Sequence, residues 1–441
     1  MKYLAVLGRQ PKISLAELES FFSDVKYMGE TTQGLGRIRR GSSERDTEFF
    51  GGCGLATFET WELPDFSRFG GTLKFGEELP KGEKELVRFL LRLPEGKITL
   101  GVSDFRTGDV RAVRAEALKL KKILSREGRS VRVLENKTAV LSTATSHHNQ
   151  LAEKKNHVEI MLTKFGNFKL THVQNISDYA KRDQRRPARD AKVGMLPPKL
   201  AQILINLAGP LETGTRILDP FCGTGVVLQE AFLDGYRVFG TDLNPRMVEY
   251  TKRNLEWLLE CAESKNSFSS LSDRKGSFRK SSSGENGEET DDVTDETLTK
   301  LVKCDIMKRY SDFILSEGDA TEFNWGEKAK IGAVVAETYL GQPMSNPPAE
   351  IKLKQEKMTC KATILGFLKN LSGQIEADTP VVIAVPAWLR ENGEYSRLNI
   401  LDEIQGLGYN VVSFRNARQE DLLYHREGQI VAREIIVLRK Q

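Results

Sequence analysis

The stretch RILDPFCGTGVVLQEAFLDGYRVFGTDLN, residues 216–244, decides the fold. A short apolar run ends on Asp219, and a turn holding Gly223 and Gly225 opens into the helix-patterned VVLQEAFLDG. A second apolar run then ends on Asp242. Strand, glycine turn, helix and strand is the repeating unit of a parallel sheet with crossover helices. Glycines after the first strand let backbone approach a ligand at the carboxyl ends of the strands, where open α/β sheets bind. An acid that closes the second strand can accept hydrogen bonds from ribose hydroxyls. The dinucleotide fingerprint GxGxxG is not met, because Gly223-Thr224-Gly225-Val226-Val227-Leu228 lacks its third glycine.

Downstream, the alternation continues. FILSEGDA is a strand ending near Asp319 and Ala320, AVVAE a strand ending on Glu337, and VVIAVP a further strand. YNVVSF and QIVAREIIVL suggest an antiparallel pair at the end of the sheet. Upstream, PKLAQILINLAG reads as an amphipathic helix, and Asn244-Pro245 as the start of a helix over 245–260. Residues 198–441 therefore predict one α/β domain with a Rossmann-like, seven-stranded mixed sheet. Residues 262–299, rich in Ser, Gly, Glu and Asp, read as a disordered insertion in it.

The front half is α+β in pattern. Residues 1–95 predict a small ferredoxin-like-type unit, and 96–170 a second region with a basic helix over 112–127. In this second region SVRVLE, KTAVLSTAT and HVEIMLTKFG read as strands. Ten of the residues from Arg106 to Lys137 are Arg or Lys, including Lys121 and Lys122, which marks a basic surface. Residues 171–197 form a polar, basic stretch with Arg182, Arg185, Arg186 and Arg189, read as a surface linker.

Composition narrows the class. Hydrophobic residues are 39% and charged residues 29% of the 441, as in globular domains, and no apolar run reaches the roughly 20 residues of a membrane span. The five cysteines (Cys53, Cys222, Cys261, Cys304 and Cys360) are scattered without CxxC or nearby His, so neither a metal site nor a disulfide framework is expected. A reducing, cytoplasmic location follows. The net charge of +4 leaves any nucleic-acid signal to local clusters.

The chemistry of the first loop points to the ligand. A carboxylate just before the glycines, Asp219, suits a cation better than a pyrophosphate, and S-adenosylmethionine (AdoMet) carries both an ammonium and a sulfonium. Asp319, at the end of the third strand, is placed for the adenine amino group.

DPFCGTG, with the preceding RDQRRPARD and GMLPPKLAQILINLAG, resembles the THUMP-domain RNA methyltransferases, most closely the branch that methylates N2 of guanosine 10 in tRNA. GVSDF, the basic helix and SVRVLENKTAVLSTAT are similar to that branch's THUMP region, and YHREGQIVAREIIVL to its closing hairpin. The resemblance implies a class I AdoMet methyltransferase domain behind an RNA-binding THUMP region. It places the cofactor against Asp219, Phe221, Gly223, Gly225, Asp242, Asp319 and Ala320, with the helix start at Pro197 beside the methionine end. RNA contacts are expected from Arg106, Lys121, Lys122, Arg182, Arg185, Arg186 and Arg189. The partner implied is RNA, tRNA first, and some lineages of the family use a small zinc-binding activator protein.

At the catalytic loop the sequence departs from the family's Asp-Pro-Pro-Tyr or Asn-Pro-Pro-Tyr. Glu337-Thr338-Tyr339-Leu340 has a longer carboxylate, no proline and its aromatic one place early. Glu337 can still accept a hydrogen from a target amino group and Tyr339 can still stack on a base, so these two are the expected catalytic residues. Asn346-Pro347-Pro348 reads instead as a turn before a helix. Two other readings stay open on sequence: a non-catalytic AdoMet- and RNA-binding protein, and a DNA amino-methyltransferase.

Overall fold

A computed structural model describes residues 1–30, 54–61, 65–190, 195–263 and 311–441. The chain divides into two compact units, Met1–Ile176 with Val412–His425, and Ser177–Val411 with Arg426–Gln441.

The first unit holds one eight-stranded sheet. Its strands are β1 (Lys2–Leu7), β2 (Lys26–Glu30), β3 (Gly54–Glu59), β4 (Thr72–Glu78), β5 (Ile98–Asp104), β6 (Val131–Val133), β7 (His157–Thr163) and β8 (Gly166–Val173), in the order β2-β3-β1-β4-β8-β7-β5-β6. The division expected at 95/96 falls inside this sheet: β4 and β8 pair antiparallel from Lys74↔Val173 to Glu78↔Phe168. A buried network crosses the same line. Lys74 Nζ, 2% exposed, donates to Glu159 Oε1 at 2.7 Å, Ser146 Oγ at 2.8 Å and the Leu141 carbonyl at 2.8 Å. A buried ammonium is tolerated only when paired and hydrogen-bonded, so the two expected regions share one core.

Helices α1 (Pro11–Glu19) and α2 (Glu83–Leu91) pack with these strands in sequence order, and α3 (Val110–Arg126) is the basic helix expected over 112–127. KTAVLSTAT does not form a strand. It lies beside β5, where Asp104 N donates to the Ala139 carbonyl and Leu141 N to Ser103 Oγ, each at 2.9 Å. Ser142 then accepts from Thr145 N at 3.0 Å and starts α4 (Thr143–His148), the usual N-cap chemistry of serine. The segment 412–425, expected within the second domain, belongs to this first unit. Glu19 accepts from the backbone N–H of Arg415 at 2.6 Å and of Asn416 at 2.9 Å, and Lys12 Nζ donates to the Asn416 carbonyl at 2.8 Å.

The second unit opens with α5 (Ile176–Gln184, from Ser177 on) and α6 (Pro198–Leu207), followed by strands and helices in alternation. These are β9 (Arg216–Asp219), α7 (Val226–Leu233), β10 (Arg237–Asp242), α8 (Pro245–Glu263), β11 (Ile314–Glu317), β12 (Ala333–Glu337), α9 (Glu350–Ser372), β13 (Pro380–Leu389), β14 (Tyr395–Ser396), α10 (Leu401–Gly406), β15 (Tyr409–Val411) and, after the two-residue β16 (Leu423–Tyr424) of the other unit, β17 (Val431–Lys440). The seven strands of the main path run β11-β10-β9-β12-β13-β17-β15. β11, β10, β9, β12 and β13 run parallel to one another, and β17 is antiparallel to both β13 and β15. This is the Rossmann-like mixed sheet expected from the sequence. Strand order reverses between β9 and β12, and α/β sheets bind ligands at such a switch point.

Local signals act as read. Asn244 caps α8, its Oδ1 accepting from Arg246 N at 3.0 Å. Asn346-Pro347-Pro348 precedes α9, as expected. α8 runs to Glu263, two residues into the expected insertion 262–299, and the rest of that stretch lies outside the described residues. Among those residues no helix is long and apolar enough to cross a membrane, and no group of His, Cys, Asp and Glu could hold a metal ion.

Candidate active site

Three carboxylates stand at the ends of three adjacent parallel strands: Asp242 on β10, Asp219 on β9 and Glu337 on β12. Between the first two runs the glycine turn. Gly223 and Gly225 adopt φ of +52° and +79°, conformations that residues with a Cβ rarely take. At Gly225 a Cβ would lie 2.8 Å from Thr251 Oγ1 and Cγ2. Thr251 cannot give way cheaply, since its Oγ1 donates to the Gly223 carbonyl at 2.9 Å and so holds the turn. We expect Gly225→Ala to lose about 1–3 kcal/mol of stability in urea unfolding, from the positive φ and the contact together. An unchanged midpoint would show that the turn can open.

Asp242 is gripped by the backbone it faces. Its Oδ2 accepts from Gly223 N and its Oδ1 from Asn244 N, each at 2.9 Å. Burial pushes its pKa up, against these two bonds. Asp219 is 2% exposed and accepts one bond among the described residues, from Phe221 N at 3.1 Å. Burial holds its carboxyl well above the ordinary range; the Phe221 N–H works against this, and the charges of Asp242 and Glu337 add to it. A buried acid short of hydrogen bonds, beside two others, is a seat for a cation. The Phe221 ring stands edge-on to Phe367, centroids 5.2 Å apart.

The remaining expected residues lie as follows. Asp319 follows β11 and is tied to its own turn: Thr321 N and Oγ1 donate to Oδ1 at 2.8 and 2.7 Å, which lowers its pKa. Ala320 is buried, and Pro197 is the N-cap of α6. Glu337, 15% exposed, pairs with Arg433 of β17, Nε to Oε1 at 2.6 Å. Thr338 is anchored through N and Oγ1 to the Ala384 carbonyl, at 3.0 and 3.1 Å. The Tyr339 ring packs against the apolar core, and its hydroxyl accepts from Gln342 Nε2 at 3.3 Å. Burial, then the nearby Glu356, raises its pKa.

The basic residues divide. Lys121 and Lys122 are exposed on α3, and Arg185 and Arg189 are exposed after α5. Arg106 is half-exposed with its fork closed on Asp104, Nε–Oδ1 3.0 Å and Nη2–Oδ2 2.8 Å. Arg182 and Arg186 are far less exposed than these. Arg182 forms a two-bond pair with the buried Glu230, at 2.6 and 2.9 Å, and lies over the Tyr179 ring. Arg186 is 2% exposed, with no hydrogen-bond partner on its guanidinium among the described residues, and burial lowers its pKa. Nor is 171–197 a surface linker throughout. Ala188 N and O bond to the side chain of Asn254, each at 2.9 Å, and Asn254 Nδ2 also donates to the Thr224 carbonyl at 2.8 Å. The stretch is therefore part of the support beneath the glycine turn. Sequence reading missed Asn254, Glu230 and Arg433. The first two left a trace, as polar residues inside apolar helix patterns.

With this geometry, residues 184–261 match the sequence model of the RMKL-like methyltransferase domain. Within that class the chain is similar to the tRNA (guanine(10)-N2)-dimethyltransferase of Methanothermobacter thermautotrophicus, 56% identical over 63 residues, which are 14% of this chain and 18% of that protein. The Pyrococcus abyssi protein of the same name is 47% identical over 62 residues, again 14% and 18%. The chain thus matches 18% of the length of these relatives. TrmN from Thermus thermophilus superposes over the full length of both chains with a TM-score of 0.42 and 15% identity.

Proposed function

We propose that this chain is an AdoMet-dependent methyltransferase that modifies the exocyclic N2 of a guanosine in tRNA. The observation that carries the reading is the arrangement of Asp219, Asp242 and Glu337 at adjacent strand ends around a positive-φ glycine turn, with the two aspartates and the turn inside the stretch that matches a methyltransferase domain. The residues fit the cofactor: Gly223 and Gly225 add no side chain to the turn, Asp219 is an under-bonded buried acid, and Asp242 is oriented by two N–H groups.

When bound, AdoMet supplies an electrophilic methyl group on its sulfonium. Asp242 would offer its remaining lone pairs to the ribose hydroxyls and Asp219 would face the ammonium. Asp319 and Ala320 would border the adenine, and Phe221 and Pro197 the methionine end. Glu337 would accept a hydrogen from the guanine amino group and so turn the nitrogen lone pair toward the methyl, while Tyr339 offers the base a ring face. The gain comes from positioning and electrostatics. Lys121, Lys122, Arg185 and Arg189, with the free edge of Arg106, would meet phosphates of the RNA, within a THUMP-like region and the segment after it. A cytosolic place of action fits this substrate.

The raised pKa of Asp219 yields a pH dependence. In the free protein the carboxyl holds its proton to a higher pH than an exposed acid. The AdoMet ammonium favours the ionised form, so binding releases a proton where the free acid is still protonated. AdoMet affinity should therefore rise with pH through the Asp219 titration and level off above it. Calorimetry in two buffers of different ionisation enthalpy reads this directly; a heat independent of buffer at all pH values would place the ammonium elsewhere.

Function is tested with radiolabelled AdoMet and a choice of unmodified tRNA, other RNA and DNA. Label entering tRNA, with affinity falling steeply as salt rises, is the expected result. Label entering DNA alone, or cofactor binding without transfer to any pool, would overturn the reading.

A further inference from the structure

We infer that Arg433 is a positioning residue that holds Glu337 in its working orientation, an assignment that rests on the proposed methyl transfer. The strand registers show how it reaches. Glu337 is level with Ala384 on β13, Ala384 with Ile435 on β17, and Pro386 with Arg433. Glu337, Ala384, Pro386 and Arg433 therefore share one face of the sheet. β12 and β17 are two strand spacings apart, about 10 Å. A side chain as long as arginine spans that gap, provided that the residue between is small, and Ala384 is.

The bond formed is a short, charge-assisted one, Nε to Oε1 at 2.6 Å, between side chains 7% and 15% exposed. Oε1 is thereby committed. Glu337 Oε2 accepts no hydrogen bond among the described residues, which leaves one oxygen for the target amino group. Glu337 has one more rotatable bond than the aspartate or asparagine of the family loop, and no prolines follow to stiffen it. The arginine removes that freedom and balances the charge of Glu337 beside Asp219. The Arg433–Glu337 pair thus accounts for a loop that departs from the family and still presents an acceptor.

The test compares Arg433→Met, Arg433→Lys, Glu337→Gln and the double variant Glu337→Gln/Arg433→Met in steady-state methyl transfer to tRNA, with AdoMet Kd by calorimetry. Arg433→Met is expected to lower kcat by about 30-fold or more, with KM for tRNA and AdoMet Kd within about twofold of wild type. Arg433→Lys should recover part of the loss. In the Glu337→Gln background, removing Arg433 should cost no more than about twofold further, because the arginine acts through that carboxylate. An unchanged kcat, a loss confined to KM or Kd, or losses that multiply in the double variant would overturn the assignment. Should Arg433→Met fail to fold, Arg433→Lys and the double variant, which removes both charges, still decide it. A wild type that transfers no methyl group overturns the proposed function itself, and the inference with it.

Discussion

Glu337→Ala is expected to lower kcat for methyl transfer by about 100- to 1,000-fold with AdoMet affinity unchanged within about twofold. The amide-like nitrogen of an exocyclic amino group is a poor nucleophile until its lone pair is turned toward the methyl. Glu337 is the carboxylate at the end of the strand just across the switch point from Asp219, tied on one oxygen and open on the other. Its removal also leaves the Arg433 guanidinium, 7% exposed, without its partner, so some stability is lost. Rate and stability are separated by single-turnover kinetics at a temperature where the variant is shown by circular dichroism to be folded. A variant that retains more than about a third of the wild-type rate would remove Glu337 from the chemistry.

The second large effect is on stability. Glu230 is 2% exposed and meets the Arg182 guanidinium through two bonds, with Arg182 itself 14% exposed and lying over Tyr179. Glu230→Ala strands a desolvated cation, and one-sided removal of a buried pair costs about 3–5 kcal/mol. The loss should appear in urea unfolding of the whole chain. Removing both charges, as in Arg182→Met/Glu230→Leu, should recover much of it, since well-packed apolar pairs often replace buried ion pairs at little cost. A Glu230→Ala loss under about 1 kcal/mol would mean that water reaches the pair.

The contrast between Arg182 and Lys121 shows what a sequence carries and what it does not. Both sit in basic stretches, and composition assigns both to RNA. Burial separates them, and the partner that buries Arg182 is 48 positions away. The 171–197 stretch is polar enough to read as linker, yet Asn254 draws Ala188 beneath the glycine turn through bonds 66 positions long. The boundary expected at residue 95 failed for the same reason, because the β4–β8 pairing and the Lys74–Glu159 bond are long-range. Features set within a few residues were legible: the strand ending at Asp219, the two glycines, the Asn244 cap, the Pro347-Pro348 turn before α9. Alternating strands and helices predicted the parallel part of the sheet, and short spacing near the end predicted its antiparallel close. The partner of Glu337 could not be read, because 96 residues separate it from Arg433 and only the registers of β12, β13 and β17 bring them together. KTAVLSTAT misled locally, where Ser142 prefers to cap a helix than to continue an apolar run.

The most direct test of the central claim is to incubate the purified chain with AdoMet and unmodified tRNA, digest the RNA and identify the methylated nucleoside by mass spectrometry. N2-methylguanosine or its dimethylated form is expected in the wild-type reaction, absent with Glu337→Ala. Methyl groups found only on another atom or another base, or no methylated nucleoside from a preparation that binds AdoMet, would contradict it.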